Sequence, residues 1–334
     1  MLSYLTKWNR WLGQRMFFVT LIALIIGFSF DLPSFLLSQN ITLFCFIYLT
    51  FVTSLDIHVK DLLRIIKHPI VPLGMLILIH VIMPIIAGGI GFFFYPQDFS
   101  IRLGFLISSV IPIGLTSIVW TGIAGGDVVL ALVVVMLDTL LAPLILPGFF
   151  ALVLGQSVAV NYSKMILDLI LMVALPSIAG MALNDITKGK VDYFSQSLGG
   201  LTAKIGVFFI ILINAAIIAP QIVWEMSIFK LLLVILLLML CGYLVGYLAS
   251  FALRNRTRPI VLTMIFNVGM RNINFGFVLA MTYFPIAVAI PVILASVFNQ
   301  PIASIFASLS LRNAPCDSNS SQSIQNEMEI PPKH

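Results

Sequence analysis

Charge is what this chain has least of. Only 9% of its 334 residues are Asp, Glu, Lys or Arg, whereas 60% are hydrophobic and mean hydropathy is +1.10. A soluble domain carries about 25% charged residues, so the composition excludes an ordinary water-soluble fold and reads as an all-α polytopic membrane protein. Cysteine is nearly absent: Cys45, Cys241 and Cys316 form no spaced motif, which excludes a disulfide framework and a thiolate metal site. Neither Gly-x-Ser-x-Gly nor His-Glu-x-x-His occurs. Asp127 and Asp138 would sit about 16 Å apart along one helix at 1.5 Å per residue, too far to share a proton as an aspartyl dyad. An enzyme is therefore not expected, nor is a cofactor. The net charge of +5 reads as loop asymmetry rather than a nucleic-acid footprint. Lys7, Arg10 and Arg15 precede the first apolar stretch, and no small-residue cleavage site follows it, so it reads as a retained helix rather than a removable leader.

What is present is a series of apolar runs. A helix needs about 20 such residues to cross the hydrocarbon core, and ten candidates qualify: 16–31, 36–55, 70–94, 102–124, 127–154, 162–184, 199–219, 227–253, 258–284 and 285–311. Between the second and third, residues 57–69 place apolar residues at helical spacing among clustered basic ones, the pattern of an interfacial helix. Thirteen Lys and Arg then fall on the side of the N-terminus: Lys7, Arg10, Arg15, Lys60, Arg64, Lys67, Lys188, Lys190, Arg254, Arg256, Arg258, Arg312 and Lys333. Arg102, Lys164 and Lys230 fall on the other side, Lys204 lies near an edge and Arg271 within a span. The bias predicts both termini in the cytoplasm, in a bacterial inner membrane. Residues 1–311 form one transmembrane unit, and 312–334, rich in Ser, Asn, Gln and Pro, read as a disordered tail.

The two halves echo each other. Asp127 to Val133 and Ala142-Pro143-Leu144 match Pro285 to Pro291 and Gln300-Pro301-Ile302 at an offset of 158 residues. Just upstream, Pro112-Ile113-Gly114-Leu115-Thr116-Ser117 matches Asn267-Val268-Gly269-Met270-Arg271-Asn272 at an offset of 155. Both of these segments break an apolar run with glycine and polar residues. Five spans per repeat is an odd number, so the second copy must run inverted, and paired broken helices in an inverted repeat point to a carrier's binding site. A break exposes N–H groups that favour anions and C=O groups that favour cations. Arg271 stands in the second break, although a charge at bilayer depth costs roughly 2.5–3.5 kcal/mol even on the lenient scale.

These residues resemble the bile acid:sodium symporter family. The resemblance is carried by Lys67-His68-Pro69, Ile82-Met83-Pro84, Pro112 to Ser117, Gly126-Asp127-Val128, Leu140 to Leu144, and Gly269-Met270 with Asn272. It implies ten transmembrane helices as two inverted five-helix repeats, with helices 4 and 9 broken and crossing. Helices 3–5 and 8–10 would form a core domain, and helices 1, 2, 6 and 7 a panel. It implies organic-anion substrates, such as bile acids, steroid conjugates or small hydroxy or keto acids, moved by symport with sodium. The family's sodium ligands do not carry over. Asn267 stands where the pattern has Glu, Arg271 and Ile79 where it has Gln, Ile118 where it has Asn, and Ala131 and Val135 where it has hydroxyl residues. Val268 and Met270 remain as carbonyl donors, and Ser117 and Asn272 match substrate-facing positions. Sodium wants several hard oxygens, which Ile, Ala and Val side chains lack.

The expected function is thus alternating-access transport of an organic anion, with Arg271 replacing a bound cation. The alternative is sodium symport through backbone carbonyls. Ser117, Thr116, Asn272, Arg271, Asn267 and Asn299 are the substrate-site candidates. Asp138, His80 and Gln300 are the ion-coupling candidates. Asp138 reads either as the counter-ion of Arg271 or as a proton-coupling site, two roles that compete because pairing keeps a carboxylate ionised. Asn214 reads as interhelical glue and Asp127 as a helix cap. Paired breaks fit a carrier better than a channel, which needs a continuous polar pore. Arsenite efflux carriers share the general architecture but place a cysteine near the first break, where this chain has none. The partners expected are the anion and the lipid bilayer, with no nucleic acid and no obligate protein partner.

Overall fold

A computed structural model of the chain describes residues 2–33, 35, 37–58, 69–155, 160–222 and 225–312. The interfacial segment expected at 57–69 and the tail beyond 312 lie almost wholly outside the described residues. All regular elements within them are helical. In chain order they are α1 (Leu2–Gln14), α2 (Met16–Ser29), α3 (Gln39–Ser54), α4 (Ile70–Phe94), α5 (Phe99–Val110), α6 (Thr116–Ala124), α7 (Val128–Leu154), α8 (Tyr162–Thr187), α9 (Asp192–Gln221), α10 (Met226–Ala252), α11 (Arg258–Gly269), α12 (Ile273–Tyr283), α13 (Ile286–Leu294) and α14 (Ser296–Arg312). Six helical stretches among the described residues are long and apolar enough to cross a membrane: α4, α7, α8, α9, α10, and α13 with α14. The runs 102–124 and 258–284 are not continuous helices; each is divided into two short ones.

Helices α2 and α3 pack on α9, and α3 also on α8. Elsewhere α10 packs on α11, α5 on α4 and α13, and α6 on α11 and α14. Large apolar side chains such as Phe44, Phe92, Phe93, Leu144, Leu152 and Ile186 face outward. That is stable only against lipid, where every backbone polar group must be satisfied inside a helix or within the protein. The chain begins with an element that the charge pattern alone did not reveal. In α1, Tyr4, Trp8 and Trp11 are exposed, with Arg15 over the Trp11 ring, and Asn9 and Lys204 tie α1 to α9.

Two prolines shape the long helices in the same way. Pro84 and Pro176 each lack the N–H that would bond four residues back. Each is preceded by a π turn, Leu78–Ile82 in α4 and Ile170–Ala174 in α8. There Met83 N–H reaches back to Leu78 O, and Leu175 N–H to Ile170 O. A π turn changes the helix register, and such turns recur at functional sites. These two carry His80 and precede Ser177.

Candidate functional site

The two helix breaks lie against each other. Ile113 and Arg271 pair as an isolated antiparallel bridge. Gly114 N–H donates to Met270 O at 3.2 Å and Asn272 N–H to Pro112 O at 2.9 Å. This pairing satisfies backbone groups that neither helix can, the condition for non-helical chain at membrane depth. A Cβ on Gly114 would stand 2.9 Å from Arg271 O, so glycine is what lets the two chains touch here.

The polarity of the breaks is sorted between two small cavities of about 20 Å³ each, room for about one water. The first meets the C-terminal ends of α5 and α11, with Ser108, Ser109, Val268, Gly269 and Arg271 in its lining. Arg271, 5% exposed, donates from Nε to Ser109 O at 3.0 Å and from Nη1 to Asn267 O at 3.3 Å. Both acceptors lie in the last turn of a helix, where carbonyls have no partner within the helix and carry the negative end of the dipole. The guanidinium thus sets its positive charge against the negative ends of both interrupted helices. Its Nη2 is buried with no hydrogen-bond partner among the described residues. Tyr243, fully buried, lies near enough to feel its charge.

The second cavity meets the N-terminal ends of α6 and α12. Its lining includes Pro112 and Leu115 before α6, and Asn272 and Phe275 at α12. Asn272 caps α12 by accepting from Phe275 N–H at 3.2 Å. The rest of the wall is rich in hydroxyls: Thr50, Thr53 and Ser54 on α3, Thr139 on α7 and Ser177 on α8. Ser177 Oγ is buried without a partner among the described residues, whereas the other four donate to their own helices.

Side chains fasten the breaks to their surroundings. Ser117 Oγ–H donates to Asn267 Oδ1 at 3.0 Å, and Asn267 Nδ2 donates to Ala131 O at 3.3 Å. Asn299 Nδ2 donates to Arg271 O at 3.3 Å. Gln300 Oε1 accepts from Trp120 Nε1 at 2.8 Å, and Gln300 Nε2 reaches Thr116 Oγ1 at 3.5 Å. Asp138, fully buried, accepts from Ile113 N–H at 2.7 Å through Oδ2 and meets His80 Nε2 at 2.6 Å through Oδ1. Asp138 and Arg271 interact electrostatically, but the ion pairs within 4 Å among the described residues are His80–Asp138 and His58–Asp185. Asp138 is therefore held by His80 and the first break, not clasped by Arg271.

At the positions where the family resemblance places sodium ligands, Ile79, Ala131, Val135 and Val268 are fully buried, and Ile118 is half-buried. Their side chains offer no oxygen. Away from the breaks, Asp127 Oδ1 accepts from Leu130 N–H at the start of α7, and Asn214 Oδ1 accepts from Thr42 Oγ1 at 3.5 Å.

Three participants were not singled out in the sequence. Ser109 acts through its carbonyl and Ile113 through its N–H, roles any residue type could fill. Ser177 carried a weak signal, a hydroxyl beside a proline within an apolar run.

A model of the sodium bile acid symporter family matches residues 42–227. Uncharacterized protein YbaS of Bacillus subtilis (strain 168) is 33% identical over 262 residues, covering 78% of this chain and 85% of its own length. Uncharacterized sodium-dependent transporter YocS of the same organism is 25% identical over 307 residues, covering 92% and 94%. Probable sodium/metabolite cotransporter BASS1, chloroplastic, of Arabidopsis thaliana is 30% identical over 217 residues, covering 64% of this chain and 52% of that protein.

Proposed function

Given that the chain belongs to the sodium bile acid symporter family, and so is a membrane transporter rather than an enzyme, we propose that it carries an organic anion by alternating access. In this reading Arg271 does what a bound sodium ion does elsewhere. The observation that carries it is the guanidinium lodged between Ser109 O and Asn267 O, at the carbonyl ends of both interrupted helices. A fixed positive charge there offsets two helix dipoles and raises the attraction of the whole crossing for an anion, without ligands that Ile118, Ala131 and Val135 cannot supply.

The anion binds where the hydroxyl-lined cavity meets the N-terminal ends of α6 and α12, a cavity that must widen beyond its one-water volume as the two bodies part, with Ser117, Thr116, Asn272, Asn267 and Asn299 holding the backbone that shapes it. Bile-acid-like molecules, steroid conjugates and small hydroxy or keto acids share the carboxylate or sulfonate that this site favours. The hydroxyl-rich wall of Thr50, Thr53, Thr139 and Ser177 suits the small hydroxy and keto acids best. The breaks belong to a core domain of α4–α7 and α10–α14 that rocks against a panel of α2, α3, α8 and α9. Ten spans in two inverted five-helix repeats, both termini in the cytoplasm and a bacterial inner membrane complete the reading. Tyr283, at the end of α12, donates to Asp168 Oδ2 on α8 at 2.5 Å, a contact between the two bodies that must break as they rock.

A second reading, sodium symport through backbone carbonyls such as Val268 O and Met270 O, is favoured by the names of YocS and BASS1, which specify sodium for those proteins. Uptake of labelled pyruvate, glycolate and taurocholate into proteoliposomes tests the first reading. Wild type should accumulate at least one of them and Arg271→Gln none; Arg271→Gln uptake equal to wild type contradicts it.

A further inference from the structure

Resting on that carrier reading, we propose that the buried His80–Asp138 pair binds the coupling proton, one for each monovalent anion carried. Asp138 accepts two hydrogen bonds, from Ile113 N–H and from His80. An ionised carboxylate is acceptor-only, so His80 presents Nε2–H to it, and the lone pair remains on Nδ1. That Nδ1 is buried and has no hydrogen-bond partner among the described residues. A proton added there forms an imidazolium that still donates through Nε2 to Asp138; a proton removed from it restores the neutral ring. No other bond forms or breaks. Histidine is the side chain whose charge changes in the neutral range.

The charges explain why a proton would travel with an anion. Asp138 and Arg271 sum to zero, so the cluster is neutral when His80 is neutral and +1 when His80 is protonated. A buried charge without compensation is costly. A protonated pair without an anion leaves +1 in the protein interior, and an anion without the proton leaves −1. Together they cancel, so each favours the binding of the other by the same factor. The placement allows this: Pro112 and Leu115, either side of Ile113, and Met136 and Thr139, close to Asp138, all line the hydroxyl-rich cavity.

The other ionisable groups around α4 do not substitute for the pair. Arg102 on α5 lies at Gly91 and Lys230 on α10 at Phe94, eleven or more residues from His80, about 16 Å along the helix. Arg258 at the start of α11 is bonded to Ser310 O. Asp127 caps the start of α7. Tyr243 on α10 interacts electrostatically with Arg271.

The test uses the full chain in nanodiscs, in weakly buffered sodium-free medium with a pH indicator. Potassium pyruvate, glycolate and taurocholate are the probes. Wild type should take up about one proton per anion bound. His80→Gln, which keeps a donor for Asp138, should bind the anion with no proton uptake and lose the gain in affinity on acidification. Anion binding by wild type without proton uptake, or uptake by His80→Gln equal to wild type, overturns the proposal. If wild type binds none of the three, the carrier reading fails for these anions and the pair is judged alone by ¹⁵N-imidazole spectra. A signal absent from His80→Gln should then change protonation state as the medium is acidified and shift in Asp138→Asn. A single protonation state over the whole pH range in which the protein stays folded overturns the proposal.

Discussion

Arg271 donates from Nε to the carbonyl oxygen of Ser109, 162 residues away in sequence and 3.0 Å away in space. Because Ser109 lies in the last turn of α5 and Arg271 follows α11, this one bond joins the two interrupted helices at their negative ends. The arginine is therefore structural and electrostatic at once, and its replacement has two separable effects. In Arg271→Gln the carbonyls of Ser109 and Asn267 lose their charged donor, at about 1–3 kcal/mol for each buried group left unsatisfied. The midpoint of thermal unfolding should fall and anion binding should be lost. Arg271→Lys keeps the charge but not the planar fork, so it should retain part of the binding. Equal melting and binding in all three proteins would remove the arginine from the account.

The bridge between the breaks makes its own prediction. Gly114→Ala places a methyl 2.9 Å from Arg271 O and forces apart the Gly114 N–H to Met270 O bond. Overpacking of this kind costs about 1–3 kcal/mol. Thermal unfolding should register that loss, and anion affinity should fall with it because Arg271 is carried on the displaced strand. An unchanged melting curve would mean that the two breaks do not touch.

How far these relationships could be read from the sequence depends on the kind of group involved. Glycine and polar residues in an apolar run are conspicuous, so the breaks at Pro112 to Ser117 and Asn267 to Asn272 stood out, as did Arg271 and Asp138. The His80–Asp138 contact was not legible, since the residues are 58 apart on different helices and the π turn before Pro84 alters the register that periodicity would assume. The acceptors of Arg271 are backbone carbonyls, which leave no mark on residue identity. The basic residues of α1 read as orientation signals, and the helix itself is legible only in the spacing of Tyr4, Trp8 and Trp11 along one face.

Ser177 separates binding from folding. Its hydroxyl is buried in the cavity wall with no partner among the described residues, so deleting it should leave stability unchanged or slightly raised, since an unsatisfied polar group is removed. A hydroxyl that bonds the anion would at the same time contribute about 1.4 kcal/mol, a factor of about ten in affinity. Ser177→Ala should therefore weaken anion binding about tenfold, measured by calorimetry, with no loss of melting temperature. Reduced stability with unchanged affinity would reverse the assignment.

The proposed rocking of core against panel requires the hydrogen bond from Tyr283 to Asp168 to break. Tyr283→Phe removes it while keeping the ring, a change of about 0.5–1.5 kcal/mol. Exchange of labelled anion across proteoliposomes should speed up several-fold, with equilibrium affinity little altered. An exchange rate equal to or below that of wild type would show that this contact does not hold the two bodies together.

The central claim is that Arg271 makes sodium unnecessary, and it is tested most directly by anion binding in sodium and in choline buffers. Ligand binding to the folded state raises the unfolding temperature in proportion to the logarithm of saturation. With pyruvate, glycolate or taurocholate added to the wild-type protein, the shift should be the same whether the cation is sodium or choline. A shift that appears only in sodium would contradict the account and return the crossing helices to a sodium site.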